Sequence, residues 1–87
     1  MPEAIRLSRT LGSSRHRALV DYVIEQRKKA DLTQEQVAKK LRRYQSYVTL
    51  VETGQRRIDV VEFLDLADAI GFDAPEALRK LAKIPKK

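Results

Sequence analysis

The stretch TQEQVAKKLRRYQSYVTLVETG, Thr33 to Gly54, decides how the rest of the chain is read. Its opening is a capping box: the Thr33 hydroxyl accepts from the backbone N–H three residues on, and Gln36 reaches back to the Thr33 amide. A short helix follows, with Val37, Ala38 and Leu41 on its inner face. A second helix runs from about Gln45 to Thr53 with Val48 and Val51 inward. Gly54 stops it, because glycine takes the left-handed conformation of a helix stop at little cost. With those two valines inside, Gln45, Ser46, Thr49 and Leu50 fall on the outer face, and Ala38 is small where the two helices cross closely. Two short helices at this spacing are a helix-turn-helix, and the N-terminal end of its second helix is the part a DNA major groove receives.

Outward from this unit the chain reads as more helix. Upstream, SSRHRALVDYVIEQRKKA places Leu19, Val20, Val23 and Ile24 on one stripe, with Ser13 or Ser14 as N-cap. Downstream, Asp59 with Glu62 makes a second capping box and opens an apolar helix of Val60, Phe63, Leu64, Leu66, Ala67 and Ile70, ended by Gly71. Asp73 with Glu76 makes a third, Pro75 is tolerated in the first turn, and the last helix carries Ala77, Leu78 and Leu81. No segment alternates with period two over a convincing length, so strands are not expected. The expected fold is all-α, a compact five-helix domain with the helix-turn-helix at its centre. Residues 1–12 are expected to form a flexible N-terminal arm, 13–84 the domain with its motif at about 33–53, and 85–87 a basic tail.

At 87 residues this is one small domain, and a hydrophobic fraction of 43% suffices for a core. There is no cysteine, hence no disulfide and no thiolate metal site; His16 is the single histidine and makes a poor metal ligand alone. No apolar run reaches the length of a membrane span, and MPEAIRLSRT lacks the apolar stretch of a signal peptide, so a cytoplasmic, nucleoid-associated protein is expected. There is no histidine cluster and no phosphate-cradling glycine loop, so no enzyme and no cofactor are expected. The net charge of +6 favours an anionic partner. From Arg27 to Arg57 nine basic residues stand against three acids, and from Asp59 to Glu76 there are six acids and no base. A basic face toward phosphate and an acidic back would discourage inverted binding. Asp59, Glu62 and Asp65 recur at three-residue spacing; an acidic face there would either be solvated, pair within the chain, or meet Arg79, Lys80 and Lys83 of a second subunit.

Residues Gln26 to about Phe72 resemble the Cro/repressor-type, or XRE, helix-turn-helix family, whose domains are lambda-repressor-like. The matching pieces, in order, are LTQEQVAKKL, QSYVTLVETG and RRIDVVEFLDLADAIGF. The resemblance implies that Gln34 bonds a phosphate and can brace Gln45, and that Gln45 and Ser46 read base edges with Thr49 and Leu50 further along the groove. Glutamine can bond an adenine edge bidentately, and a leucine can touch a thymine methyl. It also implies a structural ion pair between Arg27 and Glu52. Two positions depart from the pattern: Arg42 stands where the turn usually has glycine, and Arg43 where an apolar residue is common, with Tyr44 in the place of a proline that some members carry. A left-handed Arg42 would cost about 1–2 kcal/mol. Arg42, Arg43 and Tyr44 sit where phosphates would pass, as do Arg56 and Arg57 after the second helix. Tyr47 either contacts phosphate or fills the rim of the core.

The function expected is a sequence-specific transcriptional regulator, a repressor, reading a palindromic operator on double-stranded DNA as a homodimer. Two alternatives remain open on sequence: an antitoxin-type protein whose task is to neutralise a toxin or bind another regulator, and an adaptor or RNA-binding module without base readout. With the chain ending soon after the fifth helix, no ligand-sensing domain is expected. Arg6 and Arg9 make a groove arm conceivable for the first residues.

Overall fold

Four of the five helices begin where a capping side chain takes over backbone N–H donors that the helix itself leaves unpaired. In the computed structural model, which describes residues 13–85, five helices follow one another: α1 (Ser14–Lys29), α2 (Gln34–Leu41), α3 (Gln45–Glu52), α4 (Val60–Ile70) and α5 (Ala74–Ala82). Ser13 caps α1 by accepting from the His16 N–H at 3.1 Å. Thr33 and Gln36 form the reciprocal box of α2, and Asp59 and Glu62 that of α4. At α5 only half of the expected box is made: Asp73 accepts from the Glu76 N–H, and Pro75 lies in the first turn. No strand occurs among the described residues. The expected arm, 1–12, and the last two lysines lie outside them.

The first four helices stop on a left-handed residue, and only two of these are glycine. The residues are Asp31 (φ 60°), Arg42 (φ 59°), Gly54 (φ 77°) and Gly71 (φ 97°). At Arg42 the Arg43 N–H reaches back to the Ala38 carbonyl and the Arg42 N–H to that of Lys39; at Gly54 the Gln55 N–H reaches Leu50 and the Gly54 N–H reaches Val51. Both are Schellman closures, which satisfy carbonyls the helix end would otherwise orphan. The turn between α2 and α3 therefore keeps its left-handed residue although arginine occupies it.

Packing builds two joined clusters. The larger gathers Val23 of α1, Val37 and Ala38 of α2, Val48 and Val51 of α3, and Leu66 and Ile70 of α4, with Tyr47 at its edge. The smaller holds Phe63, Ala67, Ala74 and Ala77, roofed by Leu19, Tyr22 and Phe72. Phe72 meets Tyr22 edge-on with ring centroids 5.3 Å apart, an arrangement the ring quadrupoles favour. α2 packs on α3 and α4, while α1 contacts α3, α4 and α5. Each fully buried valine or leucine contributes about 1.5–3 kcal/mol by leaving water.

Three of the apolar residues that the sequence places on the last two helices are exposed: Val60 (71% exposed), Leu64 and Leu78. α4 is apolar around more than one face, and the arc it buries is Phe63, Leu66, Ala67 and Ile70, which puts positions 60 and 64 on the far side. Leu78 is turned out because α5 buries its small residues, Ala74 and Ala77. Ile24 is half-buried rather than core. Of the outcomes left open for the acidic face, pairing within the chain holds for Glu62, which meets Arg43 and Arg56. Asp59 is occupied as a cap and Glu62 turns inward, so Asp59, Glu62 and Asp65 present no common outer surface.

Candidate nucleic-acid interface

α3 buries Tyr47, Val48 and Val51 and exposes Gln45, Ser46 and Leu50. The apolar spacing leaves this geometry little choice, since two inward valines three residues apart fix the helix rotation. Tyr44 sits at the N-cap without a side-chain cap bond and is 86% exposed. The first N–H groups of α3 thus have no side-chain partner at the end where Gln45 and Ser46 stand. Beside that end runs an open groove of about 760 Å³, bordered by Arg42, Arg43, Tyr44, Ser46, Leu50 and Arg56. Arg57 is exposed next to it in sequence.

Behind α3 two polar networks set its position. Arg27 donates from Nε to Glu52 Oε2 at 2.7 Å and from Nη2 to Oε1 at 3.0 Å, and its Nη1 reaches the Leu32 carbonyl at 2.8 Å. This two-point pairing is nearly sealed from water, with side chains 13% and 5% exposed. It ties the end of α1 to the end of α3. Gln34 then extends the network: its amide N–H donates to Glu52 Oε1 at 2.9 Å, and its carbonyl accepts the Thr49 hydroxyl at 3.0 Å. Gln34 and Gln45 border one cleft, yet Gln34 is bonded to Glu52 and Thr49, not to Gln45. Thr49 is half-buried with its hydroxyl proton committed, so what it retains for a base edge is a methyl group and oxygen lone pairs.

The second network lies on the other side. The Tyr47 ring, only 8% exposed, belongs to the core rim, where sequence left phosphate contact equally open. The Arg43 and Arg56 guanidiniums lie 4.2 and 4.7 Å from its centroid, within cation–π range. Burial pushes the Tyr47 phenol above its ordinary pKa and Glu62 adds to the rise, while Arg43 and Arg56 pull it partly back. The phenol therefore stays neutral at physiological pH. Both arginines also reach the Glu62 carboxylate. The sequence shows Glu62 as a capping residue and gives no sign of this second role, because Arg43, Arg56 and Glu62 meet only through the fold.

Of the side chains expected to face outward, Gln45, Ser46, Leu50, Arg42, Arg43, Tyr44, Arg56 and Arg57 lie on or beside α3; Thr49, expected with them, is half-buried and braces the helix with Gln34, and Tyr47 fills the core. Such an arrangement can present amide and hydroxyl groups to base edges and guanidiniums to flanking phosphates. No helix among the described residues is long and apolar enough to cross a membrane.

A helix-turn-helix domain family matches residues 6–81. Among solved structures, an XRE-family like protein from Pseudomonas syringae pv. tomato str. DC3000 is 42% identical, with a TM-score of 0.78 over 83% of this chain and 89% of that one. The clp gene regulator ClgR from C. glutamicum shares the fold at 19% identity, with a TM-score of 0.70 over 78% of this chain and 88% of its own. No curated protein matches significantly. With the family match spanning most of the chain and a 42% identical XRE-family like structure over 83% of it, the chain belongs to the XRE-type helix-turn-helix family of DNA-binding transcription regulators.

Proposed function

We propose that the protein is a repressor that binds a palindromic operator as a homodimer, each protomer laying the N-terminal end of α3 in the major groove. The observation that carries this reading is the division of α3: Tyr47, Val48 and Val51 are buried, while Gln45, Ser46 and Leu50 are exposed beside Arg42, Arg43 and Arg56. Gln45 and Ser46 bond base edges, and Leu50 with the Thr49 methyl meets thymine methyls. Gln34, Arg42, Arg43, Tyr44, Arg56 and Arg57 contact the sugar–phosphate backbone, which supplies affinity and register but no sequence. Such a protein acts in the cytoplasm on the nucleoid, and represses by occupying DNA that polymerase needs.

A single module reads few base pairs, and a palindrome supplies the second half-site through a two-fold copy. Support for a self-contact comes from α4, where Val60, Val61 and Leu64 form an apolar strip turned away from the core. Neighbours on a helix at this spacing make one patch rather than scattered single residues.

Selection of bound duplexes from random DNA at fixed salt, with wild type beside Gln45→Ala, tests the reading. A palindromic motif that relaxes at one position per half-site in the variant is expected. Binding without any enriched motif, equal in both proteins, would leave backbone contact only and favour the adaptor or RNA-binding alternative. Co-purification of a small toxin-like protein with no duplex bound would favour the antitoxin.

A further inference from the structure

Glu62 does two jobs with one carboxylate. As the returning half of the α4 capping box it accepts from the Asp59 N–H at 3.1 Å. It also takes Arg56 at two points, Nη1 on Oε1 at 3.2 Å and Nη2 on Oε2 at 2.9 Å, and Arg43 Nη2 on Oε2 at 3.5 Å. The capping role alone explains neither arginine. Arg43 arrives from the turn before α3 and Arg56 from the loop after it, so the carboxylate joins the two basic segments that bracket the groove-facing helix. Its side chain is 10% exposed, whereas those of Arg43 and Arg56 are 43% and 37% exposed and both border the open groove. The anion is underneath and the cations are on top.

We propose that Glu62 is a positioning residue for a phosphodiester-binding pair made of Arg43 and Arg56, an inference that rests on the DNA-binding reading above. Arginine is long and rotamer-rich, and ordering it at the moment of binding reduces affinity. Here the ordering is done in the free protein: Glu62 fixes the inner edges of both guanidiniums, and the Tyr47 ring supports their planes. Two cations against one anion leave the cluster positive, and both partly exposed arginine side chains border the groove, where a guanidinium can make the fork-like contact phosphate favours. An inhibitory latch would need the carboxylate between the arginines and the groove, which is the reverse of the observed burial.

The sign of the effect separates this role from plain electrostatics. Removing a carboxylate from a protein that binds a polyanion raises affinity if only net charge matters. Positioning predicts the opposite for Glu62→Gln, a change that keeps volume and, as Gln36 does in α2, can keep the capping box. With the duplex recovered by selection on the full chain, E62Q is expected to bind about tenfold more weakly than wild type, the order of loss for leaving one or two such side chains to be ordered on binding. In an R43Q/R56Q background the same change is expected to have no further effect or to tighten binding. A second pair, R43K/R56K, keeps every charge and leaves Glu62 in place; the positioned fork predicts weaker binding, and equal binding overturns it even if E62Q fails to fold. Equal or tighter binding by a folded E62Q, or the same loss in the R43Q/R56Q background, also overturns the proposal while DNA binding stands. A wild-type chain that binds no duplex removes the functional reading and this proposal with it.

Discussion

Arg42 shows how a single backbone angle connects stability with function. The helix-turn-helix needs a left-handed residue after α2, and Arg42 supplies it at φ 59° without glycine's freedom. A side chain in that region costs about 1–2 kcal/mol, part of which glycine would give back through the greater entropy of its unfolded chain. Arg42→Gly is therefore expected to stabilise the fold by about 0.5–1 kcal/mol, read as a higher urea midpoint with an unchanged slope. The same substitution removes a cation from the groove edge, so affinity is expected to fall and the salt slope to shrink by about 1 per protomer. A more stable variant with undiminished affinity would show Arg42 to be merely solvated. At this scale the sequence was partly legible. Arg42 stood out because arginine occupies a position that asks for glycine, and the Arg27–Glu52 pair followed from resemblance. Tyr47 remained ambiguous because a tyrosine three residues into a helix can point either way until the neighbouring arginines are placed.

At the scale of elements, helix starts were legible and helix rotation was less so. A capping side chain acts on its own N–H groups within three residues, so Thr33, Asp59 and Asp73 mark their helices without tertiary help. Which arc a helix buries depends on its neighbours, and α4 is apolar on too many sides for periodicity to choose; hence the exposure of Val60 and Leu64 could not be read from the sequence. The hold on α5 was likewise hidden. Its buried face is two alanines, Ala74 and Ala77, which remove little surface from water, and Arg15 at the start of α1 donates to the Ile84 carbonyl at 2.8 Å and to Ala82 at 3.4 Å. A cation at a helix C-terminus contributes about 0.3–1 kcal/mol at an exposed site. Arg15→Ala is thus expected to speed hydrogen exchange of the α5 amides about two- to fivefold and to leave the α2 and α3 amides nearly unchanged. Equal acceleration in all helices would mean that α5 opens only with the whole domain.

For the whole molecule, the arrangement of charge and apolar surface sets how two copies would work on DNA. Sequence placed the bases around the motif and the acids behind it. The fold modifies this, because Glu62 crosses to the basic side and is absorbed there by Arg43 and Arg56. If Arg42, Arg43, Arg56 and Arg57 of each protomer neutralise phosphates, a dimer makes eight such contacts, and log K should fall with log salt at a slope of about −7. The strip of Val60, Val61 and Leu64 decides whether the slope belongs to a dimer. Val61 is 66% exposed in the first turn of α4, so Val61→Glu touches no core contact and places an acid where the helix N-terminus welcomes one; folding stability should stay within about 0.5 kcal/mol. A carboxylate buried against its own two-fold copy, by contrast, is repelled by a like charge and loses its water. Sedimentation should then show a monomer, the salt slope should drop to about half, and affinity for a full palindrome should approach that for a half-site. A V61E protein that remains dimeric with an undiminished slope would move the self-contact off α4.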